Sequence, residues 1–287
     1  MSGSLCFCLG GGIYIEASSD SRIAHCTISG NSVGDWGWGG GIYCTHSTNV
    51  TIHNCLISNN SALGYSGEGG GIYCDLSSKL IISNCTIANN VSTQEGGGIY
   101  FDVYQSPTRT ITNSILWGNS PEQIYTVDSS NIFCSFSDIQ DWTNPGIGNI
   151  DEDPLFADAV NYDYHLKSQF GRWDISSAQW IQDSVSSPCI DAGSAGDSGW
   201  MEELWPHGKR INMGAYGGTP QASMSPVLIG NMADLNHDDV VDLVDWALWS
   251  DDWLLEKILM DTDFDRDNDM DIDDLTILAD QWLWTEP

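Results

Sequence analysis

The string Gly-Gly-Gly-Ile-Tyr returns four times in the first hundred residues, at Gly10–Tyr14, Gly39–Tyr43, Gly69–Tyr73 and Gly96–Tyr100. Its isoleucines Ile13, Ile42, Ile72 and Ile99 are 29, 30 and 27 residues apart. A second string follows each copy: Ile23-Ala-His-Cys-Thr-Ile-Ser-Gly-Asn31, Ile52-His-Asn-Cys-Leu-Ile-Ser-Asn-Asn60, Ile82-Ser-Asn-Cys-Thr-Ile-Ala-Asn-Asn90 and Ile111-Thr-Asn-Ser-Ile-Leu-Trp-Gly-Asn119. Self-similarity at a fixed spacing of this size means stacked units, each unable to bury its apolar side alone.

The units read as strands. In Ile42-Tyr43-Cys44 the isoleucine and cysteine share one face and the tyrosine takes the other. In Ile52 to Ile57 the alternation holds to Asn54 and resumes out of phase at Cys55. A phase break at asparagine suits a sharp corner, because Asn tolerates the left-handed conformation. No segment of the repeats has the 3.6-residue period of a helix. Each repeat is therefore one coil of a parallel β-helix, in which like side chains line up, and parallel connections are expected to be right-handed. His25, Asn54, Asn84 and Asn113 should share a corner column. Cys26, Cys55, Cys85 and Ser114 should form the inward column beside it. The cysteines then read as stacked thiols filling a core rather than as a disulfide framework.

The Gly-Gly-Gly-Ile-Tyr strings, with Ile28-Ser-Gly-Asn31, Ile57-Ser-Asn-Asn60, Ile87-Ala-Asn-Asn90 and Leu116-Trp-Gly-Asn119, resemble right-handed parallel β-helix repeat proteins of the polymorphic outer-membrane-protein kind. The resemblance covers residues 10–120 and implies a fold rather than an activity. Later strings, Asp151 to Phe156, Asp163 to Leu166, Ser187 to Gly193 and Arg210 to Gly217, look like the irregular closing coils of such domains. An open solenoid end exposes strand edges, so its last coils must differ. The expected organisation is a mainly β solenoid over 1–222, with repeats at 10–120 and closing coils and cap at 121–222. A linker at 223–230 and a small helical module at 231–287 follow.

That last module is set apart by charge. The chain has 9 Lys+Arg against 40 Asp+Glu; residues 231–287 hold 18 of the acids and only two of the bases. The acids recur at loop positions 1, 3, 5, 9 and 12. In the first loop these are Asp234, Asn236, Asp238, Asp242 and Asp245; in the second, Asp263, Asp265, Asp267, Asp271 and Asp274. Val240 and Asp269 fall at position 7, where a backbone carbonyl coordinates. Alternate residues direct oxygens inward, and the last carboxylate closes the shell from the following helix. Each loop runs into an apolar stretch ending in Trp-Leu, at Trp253-Leu254 and Trp282-Leu283. Two loop–helix units without an entering helix resemble a type I dockerin. The resemblance implies two calcium ions and a cohesin-type protein partner. Two features depart from that pattern. Position 6 carries Asp239 and Asn268 where glycine is usual. Positions 10 and 11 are Leu243-Val244 and Ile272-Asp273.

Such a surface repels phosphates, which excludes nucleic acid and anionic membrane as partners. No apolar run approaches the ~18 residues needed to span a bilayer. Calcium loops imply an extracellular or cell-surface setting, and an export signal is expected upstream of a truncated N-terminus. The reading is a β-helix module that binds glycan or protein and is attached through its calcium module. Aromatics at Trp36, Trp38, Tyr65, Trp173 and Trp180 are the candidate ligand contacts. One alternative is a polysaccharide lyase or glycoside hydrolase carried in a cellulosome-like complex. Its carboxylates would come from Asp151, Asp153, Asp163, Asp174, Asp183 or Asp191, with no spacing that selects a pair. Another is a module folded back as a calcium-stabilised intramolecular cap.

Overall fold

The structure, a computed structural model, describes residues 10–17, 20–46, 49–75, 79–102, 108–127, 132–144, 146–255 and 258–286. Cys6 and Cys8 lie outside them. The chain separates into two compact units, Met1–Pro154 with Met213–Ala215, and Leu155–Asn212 with Tyr216–Pro287.

The first unit is a parallel solenoid. One five-stranded sheet is built from Ile13–Glu16, Ile42–Thr45, Ile72–Asp75, Ile99–Asp102 and Ile124–Thr126. A second contains Ser21–Ala24, Asn49–His53, Lys79–Ser83, Arg109–Thr112 and Ile132–Ser135. A third contains Thr27–Ser29, Leu56–Ser58, Thr86–Ala88, Ile115–Trp117 and Asp138–Ile139. A short fourth joins Ser32–Val33, Ser61–Ala62 and Val91–Ser92. Register follows the repeat: Ile42 faces Ile72, Tyr43 faces Tyr73 and Cys44 faces Cys74. The interior is columns of Ile, Val, Leu and Cys, including Ile52, Ile82, Ile57 and Ile87.

Three left-handed corners turn each coil. The first is at His25, Asn54, Asn84 and Asn113, with φ of 52°, 46°, 51° and 50°. Cys55, Cys85 and Ser114 follow it inward and are fully buried; Cys26, on the outermost described coil, is exposed. The seven cysteines Cys26, Cys44, Cys55, Cys74, Cys85, Cys134 and Cys189 are free thiols. A second corner, at Gly30, Asn59, Asn89 and Gly118, has φ of 66°, 55°, 55° and 68°. The third falls on the glycine opening each Gly-Gly-Gly string. The middle glycine is needed for a different reason, namely the closeness of the next coil. A Cβ on Gly97 would lie 2.2 Å from the Ser120 carbonyl oxygen.

Just after the second corner runs a hydrogen-bonded ladder. Asn31 Nδ2 donates to Asn60 Oδ1 at 2.9 Å, Asn60 Nδ2 to Asn90 Oδ1 at 3.0 Å, and Asn90 Nδ2 to Asn119 Oδ1 at 2.9 Å. Asn119 Nδ2 continues it to Gln123 Oε1 at 2.6 Å. Each of these oxygens also accepts a backbone N–H from the neighbouring coil, as between Asn60 N and Asn90 Oδ1 at 2.9 Å. Residues Met213–Ala215 lie along the solenoid, where Gly214 N donates to Asn113 O at 2.8 Å and Asn54 Nδ2 to Ala215 O at 3.2 Å.

The second unit contains two antiparallel strand pairs, Phe156–Asp158 with Asp163–Leu166 and Arg172–Asp174 with Gln179–Ile181. It also holds the two α-helices found among the described residues, α1 (Leu243–Asp251) and α2 (Ile272–Asp280). No helix among those residues is long and apolar enough to cross a membrane.

Candidate metal centre

The two loops of the acidic segment are wound closely alike and differ in one backbone bond at position 1. Position 1 accepts from the backbone of positions further on: Asp234 from Asp238 N at 3.1 Å and Asp239 N at 2.9 Å. Asp263 accepts from Arg266 N at 2.7 Å and Asn268 N at 3.0 Å. Positions 3 and 5 each accept the N–H two residues on, so Asn236 and Asp265 hold Asp238 N and Asp267 N. Asp238 and Asp267 in turn hold the position 7 amides of Val240 and Asp269. Position 6 is left-handed as the residue types require, with φ of 67° at Asp239 and 74° at Asn268. Position 4 is left-handed too, at His237 and Arg266.

Asp242 and Asp271 at position 9 are the N-caps of α1 and α2, accepting from Val244 N and Asp273 N at 2.8 Å each. Asp245 and Asp274 at position 12 complete capping boxes. One oxygen of each reaches back to the loop start: Asp245 Oδ1 accepts from Leu235 N at 2.8 Å, and Asp274 Oδ1 from Phe264 N at 2.7 Å. Both carboxylates are almost fully buried. Thus the last acid of each loop ties three things together: loop entry, helix cap and the interior of the loop.

The halves also exchange backbone. Val241 N donates to Trp284 O at 2.9 Å and Leu283 N to Val241 O at 3.0 Å, while Leu254 N donates to Met270 O at 3.2 Å. Val241 and Met270 hold the same position in the two loops. Around them pack Ala233, Trp249, Met260, Phe264 and Leu278.

The donor set fits a hard cation. Oxygens of Asp263, Asp265 and Asp267 all lie within 4.8 Å of one another. Calcium bonds oxygen at ~2.3–2.6 Å, so two of its ligands can stand up to ~5 Å apart. Burial, then repulsion from Asp274 and Asp265, pushes the Asp263 carboxyl up to about 6. Burial and the Asp267 and Asp274 carboxylates push Asp265 up as well. In the first loop Asn236 replaces one acid and donates from Nδ2 to Asp238 Oδ2 at 2.9 Å. Burial chiefly raises Asp234 there.

Side chains at loop positions 4 and 6 hold the preceding segment of the same unit. Lys209 Nζ pairs with Asp239 and, at 2.6 Å, with Glu286. Arg266 donates to the Trp205 carbonyl, and His237 Nε2 lies 3.3 Å from Met201 O.

Four of the six candidate hydrolytic acids are engaged by neighbouring groups. Asp163, Asp174 and Asp183 surround Arg172 at 3.4, 3.7 and 3.0 Å, and Asp163 also holds the buried His165 at 2.7 Å. Asp191 accepts from Gly208 N and the Ser225 hydroxyl. Trp173 is buried edge-to-face against Trp180, 5.7 Å between ring centres. Trp36 and Tyr65 meet across adjacent coils with ring centres 5.3 Å apart and planes tilted by 47°, and Tyr65 is 77% exposed. Trp38 lies over Tyr73 at 5.8 Å.

Sequence reasoning passed over Glu203. It is buried and accepts from Asn212 N and Gly218 N, both at 2.8 Å. Burial first, then Asp191 and Asp197, pushes its carboxyl up to about 8, against ~4.3 in an unfolded chain. The protonated acid therefore stabilises the fold fully below pH ~4.3, and that contribution is lost as pH rises through about 8. Glu203→Gln keeps the acceptor without the charge. It should flatten the fall in melting temperature between those pH values, in melts followed across the range. An unchanged pH slope would place the titration elsewhere.

No curated protein and no solved structure shows a match to the chain. A family model described as disaggregatase related matches residues 136–193. The model for a right handed beta helix region matches residues 4–139, the span whose strands stack in parallel, so this part of the chain is a right-handed β-helix region.

Proposed function

We propose that residues 231–287 are a two-site calcium module of the dockerin type, joining a glycan- or protein-binding β-helix to a cohesin-type partner outside the cell. The observation that carries this reading is the duplicated loop. Every ligand position recurs, all but the first with matching backbone hydrogen bonds, and three carboxylates converge within 4.8 Å in the second copy. An acidic tail has no reason to repeat a turn at position 6 and a capping box at position 12 in both copies. Apolar side chains at Leu243, Val244, Leu254, Ile272 and Leu283 are exposed around the two helices, as a surface that docks a protein requires. Calorimetric titration of the full chain should show two calcium ions bound, and Asp265→Asn with Asp267→Asn should remove one of them. Absence of saturable binding at millimolar calcium would overturn the proposal.

A second reading has its own support. Lys209, Arg266 and His237 bind the loops to the segment before them within one compact unit. In this reading the module is an intramolecular cap set by calcium. Lys209→Ala separates the two: it should loosen a cap, raising protease cleavage near residue 230, and leave a free docking module unaffected.

A further inference from the structure

Beside the first corner the solenoid carries a column of sulfur. Cys26, Cys55 and Cys85 stand on successive coils, and the residues on either side of them are in register: Ala24 and Ser83 with His53, Thr27 and Thr86 with Leu56. All three thiols are held alike, each donating to the carbonyl two residues back. Cys26 donates to Ala24 O at 3.1 Å, and Cys55 and Cys85 donate to His53 O and Ser83 O at 3.2 Å each. Ser114 and Ser137 take the same place further along the column. Their hydroxyls donate to Thr112 O at 2.8 Å and Ser135 O at 3.0 Å. They also accept the backbone N–H of the coil before, Cys85 N at 3.1 Å and Ser114 N at 3.2 Å. Serine therefore makes every hydrogen bond that the position asks for, so those bonds do not account for the run of sulfur.

The three thiols differ in exposure and acidity. Cys26 is exposed, whereas Cys55 and Cys85 are fully buried, so the column opens to solvent at Cys26. A hydrogen bond from Cys85, acting against burial and aided by the Cys26 backbone N–H, holds the Cys55 thiol below its ordinary range. Burial pushes Cys85 well above it. Cys44 and Cys74 form another stacked pair, in register in the first sheet. Both are fully buried, and burial pushes Cys44 well up, so packing suffices to explain them. Thiolate is the form that binds metal. It is favoured at Cys55 and reached through Cys26.

We propose that Cys26 and Cys55 form a two-coordinate site for a soft monovalent cation such as copper(I). Stacked side chains on neighbouring coils are ~4.8 Å apart. A metal–thiolate bond is ~2.3 Å, as at zinc, so two sulfurs on opposite sides of one ion stand ~4.6 Å apart. A disulfide needs its sulfurs at ~2.05 Å and its Cβ atoms at ~3.5–4.5 Å, closer than the stack holds them. Thiolates select soft ions, copper(I) among them. Zinc takes four ligands in a tetrahedron, and this pair offers two in line. On binding, two S–H protons leave and one monovalent ion enters, so the site carries one net negative charge and no electron is transferred. The Cys26 N–H that meets the Cys55 sulfur offsets that charge.

The test is titration of the full chain, reduced, in calcium and without oxygen, with copper(I) in competition with a coloured copper(I) chelator. One ion per chain should be held and should give thiolate-to-copper absorption in the near ultraviolet. Loss of a group behind a metal ligand costs ~10–100-fold in affinity, so loss of a ligand itself, in Cys26→Ser or Cys55→Ser, should cost at least ~100-fold. Both variants keep the fold, because serine already occupies this column at Ser114 and Ser137; an unchanged far-ultraviolet circular dichroism spectrum checks that. Cys85→Ser, Cys44→Ser and Cys189→Ser should hold the ion as the parent chain does. No ion held against the chelator overturns the proposal, as does undiminished binding in Cys26→Ser or Cys55→Ser. Loss in Cys85→Ser, or in Cys6→Ser with Cys8→Ser, places the ion on other thiols and overturns it as well. A Cys26–Cys55 disulfide found by peptide mapping after exposure to air would show that the sulfurs reach bonding distance, and it too overturns the site.

Discussion

Millimolar calcium should raise the melting temperature of the loop–helix pair by about 20–40 °C over that in chelator. Each site held at about a hundred times its dissociation constant contributes ~2.7 kcal/mol, hence ~5 kcal/mol for two. In a domain of this size 1 kcal/mol moves the midpoint by ~4–8 °C. The origin is the crowding of carboxylates in the second loop. Asp263, Asp265 and Asp267 crowd within 4.8 Å, where like charges repel by on the order of 1 kcal/mol per pair even in water. The opposing core is small, built around Val241, Trp249, Met270 and Leu278. Metal turns the repulsion into coordination, so its binding energy becomes folding energy. Trp249, buried and 4.9 Å from Trp253, should report the transition by fluorescence. Identical melts in calcium and chelator would sink the metal assignment.

Asn90→Ala should destabilise the solenoid by about 4 kcal/mol, near the upper end for a single substitution. The Asn90 side chain is fully buried. It donates to Ile57 O and Asn119 Oδ1, both at 2.9 Å, and accepts from Asn60 N and Asn60 Nδ2 at 2.9 and 3.0 Å. Truncation strands a buried carbonyl and two buried N–H groups, each costing ~1–3 kcal/mol, because water cannot replace the lost partner. A urea midpoint shift followed by far-ultraviolet circular dichroism reads the effect. A change below ~1 kcal/mol would mean that the ladder is replaceable by solvent.

The solenoid was largely legible because its period places like residues on like positions. The phase break at Asn54 marks a true left-handed corner, and the inward thiols at Cys55 and Cys85 follow from it. The expected corner column at His25, Asn54, Asn84 and Asn113 is found, whereas the continuous chain of amide bonds six residues further on, through Asn31, Asn60, Asn90 and Asn119, was not foreseen. The two kinds of asparagine look alike in sequence and both are buried; the left-handed backbone at the first is what tells a corner from a rung. The signal was there, since the second asparagine closes every Ile-x-x-Asn string. In the two acidic loops the regular placement of side-chain oxygens was readable from residue positions alone. That Asp242 and Asp271 cap helices was not, because a carboxylate at a loop's end looks the same in sequence whatever it holds. The carboxylates flanking two of the tyrosines were passed over. Asp75 and Asp102 recur two residues after a tyrosine, but Glu68 and Glu95 precede theirs by five, across glycines that hide the alignment.

In the repeats each coil hands its neighbour nearly the same groups in the same order: an isoleucine pair, a phenol ring, an asparagine amide, a glycine carbonyl. Nothing in such an arrangement specifies how many coils there are. Length is set by copy number and ended only by a change of pattern, so the repeat behaves as a ruler graduated in coils. Gaining or losing a coil would then lengthen or shorten the sheets by one whole step without altering the contacts that join one coil to the next.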